Sequence, residues 1–431
     1  MSESKNDVAW GKLFEKLSIL DKIENTDYFS ISSKDINEFR EARLMTKFDH
    51  RSQLPKIFTD HKLSILPISR GDYIIGKFKA FHDFNQDENT TGIQKIPFPH
   101  FLESLNPKEI TSEATAINCA FIAGIIQDFT GESDLHSTVS GRMSSSCFDF
   151  DIDIPGQEKP LQLSVKKSQI EIDGGYEGNN SLIIIEAKNY ISDDFIIRQL
   201  FYPYKLWIHK INKKVRPVFL TYTNGIFHLR EYVFGNSKYY NSIKLIKQQK
   251  YVIEEDSILN IEIIQNILNK ALIAKESEIP FPQADSFDRI INLCELLKQK
   301  LTLTKEEITQ EYDFSWRQAG YYSNAAIYLG LVNCERENRM SIYKLTEKGL
   351  MLFELSIFYR KLQLIKLILT HEIFNKSLKL YFKRGYVSSK QEVVEMMRDF
   401  NLHNINSNKT YERRSSTVLG WIKWIISLVE E

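Results

Sequence analysis

Two acidic residues and one lysine are the side chains of this sequence whose types and spacing best suit chemistry. Asp173 precedes a pair of glycines, and Glu186 and Lys188 flank a single alanine at the end of an apolar run. Carboxylate oxygens are the ligands that Mg²⁺ prefers, and the ion keeps several waters when few of them bind it. Two carboxylates beside an ammonium therefore favour metal-assisted hydrolysis of a phosphodiester.

The elements around these residues predict that the three side chains meet. The stretches before and after segment 174–180 read as strands, in which side chains alternate between two faces. Glu186 and Lys188 should therefore point to the same face. Segment 174–180 is rich in glycine and asparagine, which predicts a hairpin turn. Folding the hairpin brings Asp173, at the end of the first strand, beside Glu186.

A solvated strand end is the competing interpretation, because charged residues often end strands at a protein surface. By itself, an acid-x-lysine triplet is more often such an end than a site. The apolar run Leu182–Ile185, however, indicates a strand buried on both faces, where a free carboxylate is costly unless it is paired or bound to metal. Gly174 and Gly175 are expected to leave backbone room close to the metal. We therefore favour the catalytic interpretation.

Asp173 together with Glu186-Ala187-Lys188 resembles the PD-(D/E)xK nuclease signature. The surroundings resemble type II restriction endonucleases that carry a C-terminal winged helix, since the order is a helix, strands, the aspartate, a hairpin, Glu-x-Lys and a helix with a glutamine. The resemblance covers residues 111–234 and, more loosely, the C-terminal third. Ile172 stands where the name of the motif has proline, a position that varies in such enzymes without holding a ligand.

The resemblance implies an α/β (α+β) chain with a restriction-endonuclease-like mixed sheet flanked by helices, and a Mg²⁺-dependent site. Asp173, Glu186 and the carbonyl oxygen of Ala187 would hold the ion. Lys188 would orient the attacking water and stabilise charge on the phosphorus, and the leaving group would be the 3′ oxygen. Gln199, on the helix predicted over residues 193–200, would orient the lysine or the substrate.

Three further residues are candidates with two interpretations each. Glu113 lies in the first turn of a predicted helix, where it favours the positive helix end; in many enzymes of this resemblance such a glutamate also reaches the metal site. Glu171 shares a face with Asp173 and is either a second acidic ligand or the partner of a nearby lysine. Arg142 follows a glycine and has hydroxyl residues on either side. It either binds a phosphate or belongs to a plain polar turn.

Composition favours folded domains without a strong electrostatic signature. The 431 residues suggest two to four domains. A hydrophobic content of 42% and an aromatic content of 12% can fill their cores. Lys+Arg and Asp+Glu both number 56, so the net charge is zero, whereas nucleic-acid binders are usually basic. This balance counts only mildly against a restriction-type enzyme, because such an enzyme needs a basic cleft and its acidic residues can lie elsewhere.

The cysteines and the apolar runs predict the cellular location of the protein. Four widely spaced cysteines without a Cys-x-x-Cys pair argue against a zinc site and fit a reducing cytoplasm. Cys119 is expected in the core rather than as a nucleophile. The polar N-terminus lacks a signal-peptide pattern, and no apolar run approaches the ~20 residues that span a bilayer. We therefore expect a cytoplasmic protein without membrane contact.

The sequence divides into four predicted regions. The first reads as mixed α/β with recurring basic residues, which form either a solvated surface or one that contacts phosphates and helps to choose the DNA target. Two prolines within Ile279–Pro282 mark a later boundary. The predicted regions are an N-terminal α/β region over 1–110, a nuclease core over 111–240, a helical connector over 241–284 and a winged helix-turn-helix domain over 285–431.

The last region has the spacing of a winged helix. Helices are predicted over 287–300, 305–312 and 316–329, followed by a two-stranded wing. In helix-turn-helix folds the later helix enters the major groove with its N-terminal residues on base edges. A helical domain used for packing or dimerisation is the alternative. The candidate DNA-binding residues are Arg317, Gln318, Tyr321 and Asn324 on the third helix, and Arg413 and Arg414 before a final amphipathic helix over 418–429.

These expectations lead to a Mg²⁺-dependent type II restriction endonuclease that hydrolyses phosphodiester bonds in double-stranded DNA at a specific sequence. One site per chain implies a homodimer or two successive nicks. A DNA methyltransferase that protects the host's own sites would complete a restriction-modification system. The alternatives are a low-specificity repair or defence nuclease, an enzyme that acts on RNA, and a winged-helix transcription regulator without catalysis.

Overall fold

Helices and strands are mixed along the whole chain. A computed structural model describes residues 4–87, 92–253, 259–337, 340–400, 402–405 and 407–430. They form two compact units, one reaching Tyr222 and including Ile226–Val252, the other comprising Thr223–Gly225 and the described residues from Ile253 onward. The predicted mixed α/β class is confirmed. Among these residues, no helix has the length and apolar character needed to cross a bilayer.

The first unit begins with short helices around a three-stranded sheet. Its elements are α1 (Lys5–Leu17), α2 (Ile19–Thr26), β1 (Tyr28–Ser32), α3 (Ser33–Asn37), α4 (Ala42–Thr46), α5 (Lys56–Asp60), β2 (Ser64–Pro67) and β3 (Asp72–Gly76). The strand order is β1-β3-β2. Ser4 and Ser32 begin α1 and α3 with capping boxes, which satisfy backbone N–H groups that a helix start leaves without partners. Trp10 and Phe58 are fully buried between these elements.

A seven-stranded mixed sheet follows. Its elements and those around it are β4 (Phe81–Asp83), β5 (Ile93–Ile96), α6 (Glu113–Ile122), α7 (Ile125–Thr130), β6 (His136–Ser144), β7 (Cys147–Ile152), β8 (Leu161–Lys166), β9 (Gln169–Glu177), β10 (Ser181–Lys188), β11 (Asp194–Ile196), α8 (Arg198–Trp207), β12 (Lys214–Thr223), β13 (Ile226–Phe234) and β14 (Ile243–Ile253). The order is β5-β14-β13-β12-β10-β9-β6. β10 runs parallel to β12 and antiparallel to β9.

β10 lies inside the sheet and carries two of the candidate residues. All eight of its residues are buried, as expected for an isoleucine-rich strand with a parallel neighbour and both faces covered. Phe201 of α8 packs with Phe219 and Tyr232 of the sheet in one core. Each of these rings is fully buried, which contributes roughly 1.5–3 kcal/mol per side chain. This packing fixes α8 over the end of β10.

β9 and β10 form the predicted hairpin, but its turn is shorter than predicted. β9 continues through Gly174 and Gly175, so the turn comprises only residues 178–180. A Cβ on Gly175 would lie 2.7 Å from the Cβ of Val139, and one on Gly174 would lie 3.1 Å from Cγ2 of Ile117. The glycines therefore let β6 and α6 approach the strand, and the prediction that they leave room beside a metal is wrong.

Two other predicted elements differ from the structure. The helix predicted from residue 193 begins at Arg198, because Asp194–Ile196 pairs with β4 as strand β11. The predicted helical connector contains strand β14, which pairs with β13 and enlarges the sheet. In both cases pairing with another strand decides the conformation of a segment whose local pattern favours a helix; β4 is distant in sequence from β11, whereas β13 directly precedes β14.

The second unit is mainly helical. Its elements are α9 (Ile261–Lys270), α10 (Phe287–Lys300), β15 (Thr302–Thr304), α11 (Lys305–Glu311), α12 (Trp316–Tyr328), β16 (Val332–Glu337), β17 (Met340–Leu345), α13 (Glu347–Glu354), α14 (Ile357–Leu369), α15 (Glu372–Arg384), α16 (Lys390–Arg398) and α17 (Asn408–Glu430). The three helices predicted over 287–329 are confirmed, with Thr304 and Ser315 as caps. β15 was not predicted; it joins a sheet of order β15-β17-β16. α17 begins ten residues earlier than predicted.

Candidate active site

The end of β10 places Glu186 and Lys188 on one face of the sheet, as the strand alternation predicts. Nζ of Lys188 donates a hydrogen bond to Oε1 of Glu186. Glu186 is 7% exposed and Lys188 is 6% exposed, so the interpretation as a solvated strand end is wrong. Burying two charges costs several kcal/mol per ion unless further hydrogen bonds complete the pair, so the neighbouring groups matter.

Asp173 joins this pair where the ladder between β9 and β10 ends. The last paired residues are Gly174 and Ile185, so the next backbone N–H of β10 in the ladder, that of Ala187, has no carbonyl acceptor on β9. Oδ2 of Asp173 accepts the hydrogen bond from this N–H at 2.8 Å. The carboxylate therefore takes the place of a backbone acceptor, which holds Asp173 beside the Glu186–Lys188 pair.

α8 supplies Gln199 to the same carboxylate. Its Nε2 donates to Oε1 of Glu186 at 2.6 Å. Its own Oε1 is buried and has no hydrogen-bond partner in the described structure. A buried acceptor of this kind costs free energy unless water or a ligand satisfies it. Gln199 therefore both fixes Glu186 and offers an acceptor at the site.

Glu113 reaches the site from the start of α6. The helix cap is Ser112, whose side chain accepts from the N–H of Thr115, so Glu113 is free of the capping hydrogen bond. Burial raises the pKa of Glu113, Lys188 opposes this, and Asp173 reinforces it. Glu113 thus belongs to the same electrostatic cluster as the residues of the hairpin.

Asp49 is a member of this cluster that the sequence did not reveal. It follows α4, is 7% exposed, and lies 3.9 Å from Nη2 of Arg198. Burial would raise the pKa of Asp49, but Lys188 and Arg198 bring it below its ordinary value. An aspartate in a segment with basic residues on both sides carries no local signal of such a role. We call Asp49, Glu113, Asp173, Glu186 and Lys188 the acidic cluster.

The segment Asp49–Arg51, which we call the docking segment, is fixed to the residues between β10 and α8. Nδ1 of the fully buried His50 lies 2.5 Å from the carbonyl oxygen of Asp194, and Nε2 lies 2.9 Å from the hydroxyl of Tyr190. Because a carbonyl only accepts, Nδ1 donates to Asp194, and Nε2 forms a hydrogen bond with the hydroxyl of Tyr190. The backbone oxygen of Asp49 accepts from the N–H of Ile196 at 2.9 Å. The N-terminal region thereby holds the connection between Lys188 and Gln199.

Burial and mutual repulsion set the charges in the acidic cluster. Burial raises the pKa of Glu186 well above its ordinary value, Lys188 opposes this, and Asp173 adds to it. Burial alone would lower the pKa of Lys188, but Glu186 and Glu113 raise it well above its ordinary value. Lys188 is therefore cationic, and the carboxylates around it outnumber it. A further cation bound here would favour the ionised forms of the carboxyls whose pKa values burial and mutual repulsion raise.

The oxygen atoms that a cation could use are few but suitable. Within the described ranges, no three or more His, Cys, Asp or Glu side chains form a group able to hold a metal ion. The contacts given above occupy Oδ2 of Asp173 and Oε1 of Glu186. Asp173 and Glu186 each keep one carboxylate oxygen that these hydrogen bonds do not occupy, and carboxylate oxygens are the hard donors that Mg²⁺ prefers.

Two other candidates of the first unit lie outside the acidic cluster. Arg142 is on strand β6 rather than in a turn, and its Nε lies 3.3 Å from Oε1 of Glu171 on β9. Both side chains are more than half exposed, so the pair contributes little to stability. Glu171 is thus paired with an arginine, whereas the sequence predicted either a second acidic ligand or the partner of a lysine.

The candidates of the second unit lie on α12 and α17. Arg317 and Asn324 are exposed, and Tyr321 is partly buried. Gln318 forms a capping box with Ser315, whose N–H donates to its Oε1 at 2.8 Å, so its side chain is engaged in starting α12. Arg413 and Arg414 belong to the first turns of α17. Burial and Arg413 lower the pKa of Arg414, and Tyr321 acts against them.

Family models match three parts of the chain, each under the description domain of unknown function. They are DUF6996 over residues 7–75, DUF6997 over residues 76–252 and DUF7226 over residues 289–430. No curated protein and no solved structure matches the chain. The second range contains Glu113, Asp173, Glu186 and Lys188, and the first contains Asp49. The acidic cluster therefore combines residues from two of the matched ranges.

Proposed function

We propose that this chain is a Mg²⁺-dependent type II restriction endonuclease of the PD-(D/E)xK kind. The observation that carries the proposal is the buried contact of Lys188 with Glu186 beside Asp173, at the end of a strand in a mixed sheet. Strongly perturbed titratable groups that converge in this way are typical of functional sites. Two carboxylates and an ammonium suit the hydrolysis of a phosphodiester with a bound divalent ion.

Each residue of the hairpin end has a distinct role in this proposal. Oδ1 of Asp173, Oε2 of Glu186 and the carbonyl oxygen of Ala187 would hold the Mg²⁺. When bound, the ion polarises the scissile phosphate and lowers the pKa of a water. Lys188, which its neighbours hold in the charged form, would orient the attacking water and stabilise the charge that develops on the phosphate. Gln199 would keep Glu186 in position.

The second unit supports the proposal through the order of its elements. α10, β15, α11, α12 and the pair β16–β17 follow one another as in a winged helix, whose later helix enters the major groove. Arg317 and Asn324 are exposed on α12 and suit base edges or phosphates. Gln318 would act through the helix cap instead. Arg413 and Arg414 would contact the DNA backbone.

Cleavage of supercoiled plasmid DNA by the full chain in Mg²⁺ tests the proposal. Lys188→Ala should lower the cleavage rate by at least roughly 10²–10³-fold, as when a preorganised charge stabiliser is removed, with DNA binding largely intact. Asp173→Asn should lower it similarly, although asparagine still offers an acceptor to the N–H of Ala187. Lys213→Ala is the matched control, because Lys213 pairs with Glu177 at the opposite end of the same hairpin. Its cutting should be unchanged.

Thermal unfolding gives a readout that does not depend on catalysis. Mg²⁺ should raise the melting temperature of the unmodified chain, since a ligand at 100 times its Kd adds about 2.7 kcal/mol to the free energy of unfolding. Asp173→Asn should respond much less. Full cutting by Lys188→Ala refutes the assignment. Scattered fragments favour a low-specificity nuclease, and DNA binding without any cutting favours a transcription regulator.

A further inference from the structure

Arg230 is a cation of the first unit that the acidic cluster does not use. It lies on β13, and its guanidinium carbon is 4.3 Å from the centroid of the Phe84 ring. Its Nη1 donates a hydrogen bond to Oγ1 of Thr221 at 3.3 Å. In the described part of the chain, no carboxylate lies within ion-pair distance of this guanidinium. An aromatic face and one hydroxyl are weak partners for a side chain with five N–H donors.

The position of Arg230 follows from the register of the sheet. In the parallel ladder of β10 and β12, Lys188 is opposite Thr221. Residues opposite each other in neighbouring strands point to the same face, and the strands are about 4.8 Å apart. Because Arg230 contacts the side chain of Thr221, its guanidinium lies on the face that carries Lys188. The guanidinium lies at the same end of the sheet as Lys188 but two strands away, because β12 separates β10 from β13.

The carboxylate that raises the pKa of Arg230, that of Asp87, is already engaged by other side chains. Both oxygens of the buried Asp87 lie 3.1 Å from Nε2 of His82. The hydroxyl of Tyr232 donates to Oδ2 of Asp87 at 2.6 Å. Asp87 therefore acts on Arg230 only through space. This leaves the N–H groups of Arg230 that do not contact Thr221 without a carboxylate to bind.

The charge of Arg230 is also poorly compensated. Burial lowers the pKa of Arg230, and the opposing effects of Tyr232 and Asp87 do not restore it. A guanidinium is the side chain that best matches the planar pairs of oxygens on phosphates. An anion bound across the strand ends would compensate this charge and accept the remaining hydrogen bonds.

We infer that Arg230 is a phosphate-binding residue, which holds a nonbridging oxygen of the nucleic-acid backbone at the ends of β10 and β12. The inference rests on the proposed function, because it places the bound phosphodiester beside Lys188. Lys188 would then face the scissile phosphate and Arg230 the same or the neighbouring phosphate. The residue acts in binding and orientation of the substrate and takes no part in proton transfer.

The salt dependence of DNA binding tests the inference. The full chain, with no divalent ion present, is titrated with linearised plasmid DNA over a series of KCl concentrations. Arg230→Gln should weaken binding by roughly 10-fold or more, the effect of losing a charge-assisted hydrogen bond. The slope of log K against log[KCl] should become shallower by about 0.9, the value for one phosphate contact. Arg230→Lys should restore the slope without restoring the full affinity.

Lys247→Gln is the matched control. Lys247 is also a cation over an aromatic ring, 5.0 Å from the centroid of Phe129, but its partner Glu231 in the β13–β14 ladder places it on the opposite face from Arg230. Its affinity and slope should equal those of the unmodified chain. An unchanged slope in a folded Arg230→Gln, or no DNA binding by the unmodified chain, overturns the inference. If Arg230→Gln shows the expected loss of affinity and slope but the unmodified chain does not cut DNA in Mg²⁺, only the proposed nuclease activity is refuted.

Discussion

Asp173 is fixed by the backbone of the strand whose site it completes. Its Oδ2 accepts the N–H of Ala187, the residue between Glu186 and Lys188. One hydrogen bond thus sets the position of the first carboxylate relative to the other two groups. Because burial raises the pKa of Asp173, the ionised form that would bind a cation is the costly form. A local free-energy cost of this kind, here for ionising a buried carboxyl, is expected at functional sites.

Replacing Asp173 should reveal this cost in the pH dependence of stability. Its pKa in the folded chain is raised above the ordinary value of 3.8, so the unfolded chain loses its proton first as the pH increases. The stability that this group contributes is present below 3.8 and is lost as the pH rises through the folded pKa. Asp173→Asn should therefore be more stable than the unmodified chain at neutral pH, and the two should converge in acid. Urea unfolding across this range measures the difference; a less stable variant at neutral pH contradicts it.

Among the elements, the docking segment links the N-terminal region to the end of the sheet that carries Glu186 and Lys188. His50 is fully buried and uses both ring nitrogens, on Tyr190 and Asp194. Arg51 adds two hydrogen bonds to the Asp194 carboxylate, at 3.2 Å from its N–H and 3.1 Å from Nη1. The path from Lys188 to Gln199 therefore depends on a segment more than a hundred residues earlier in the chain.

His50→Ala tests this dependence. Removing the ring leaves a cavity and two polar groups without partners, which should lower the free energy of unfolding by roughly 2–5 kcal/mol. Cleavage should fall through kcat more than through DNA affinity, because the change disturbs the spacing of Lys188 and Gln199. His61→Ala, at an exposed histidine after α5, is the control and should match the unmodified chain. Unchanged stability and kcat in His50→Ala would show that the contact is incidental.

In the whole molecule, positive and negative charges balance, but acidic and basic side chains are concentrated at different places. The net charge is zero, yet the acidic cluster collects carboxylates around Lys188 while Arg230 and the arginines of α12 and α17 lie elsewhere on the described chain. A neutral total therefore does not argue against DNA as a partner, because binding depends on local potential. In the part of the chain that the structure describes, Asp49, Glu113, Asp173, Glu186 and Lys188 form one such cluster, so under the proposed function cutting both strands of a duplex would require two chains or two successive events.

We expect a homodimer to cut both strands. Above the dissociation constant of the dimer, plasmid should become linear with little nicked circle, and below it nicked circles should accumulate, because one site reaches one strand. Sedimentation equilibrium at the same concentrations measures the mass of the species. Direct linear product from a chain that sediments as a monomer contradicts the expectation.

Local sequence patterns determined the elements that carry Glu186 and Lys188. The helices predicted over 287–300, 305–312 and 316–329 are present in the structure, where Thr304 and Ser315 cap the second and third by accepting backbone N–H donors within a few residues. The isoleucine run of β10 and the polar turn after β9 predict a buried hairpin, and alternation places Glu186 beside Lys188. These features depend on interactions between near neighbours in the chain, which is why the sequence alone reveals them.

Only the tertiary structure decided which distant groups complete the site. Asp49 of the docking segment lies beside Arg198 and acts electrostatically on Lys188, and Arg230 reaches the same end of the sheet through the register of β10 and β12 and its contact with Thr221. The glycines of β9 make room for side chains of β6 and α6, and β14 is a strand because β13 offers it a free edge. Each of these outcomes depends on packing and pairing between separate segments of the chain, most of them far apart in sequence, whose free energy no local pattern records.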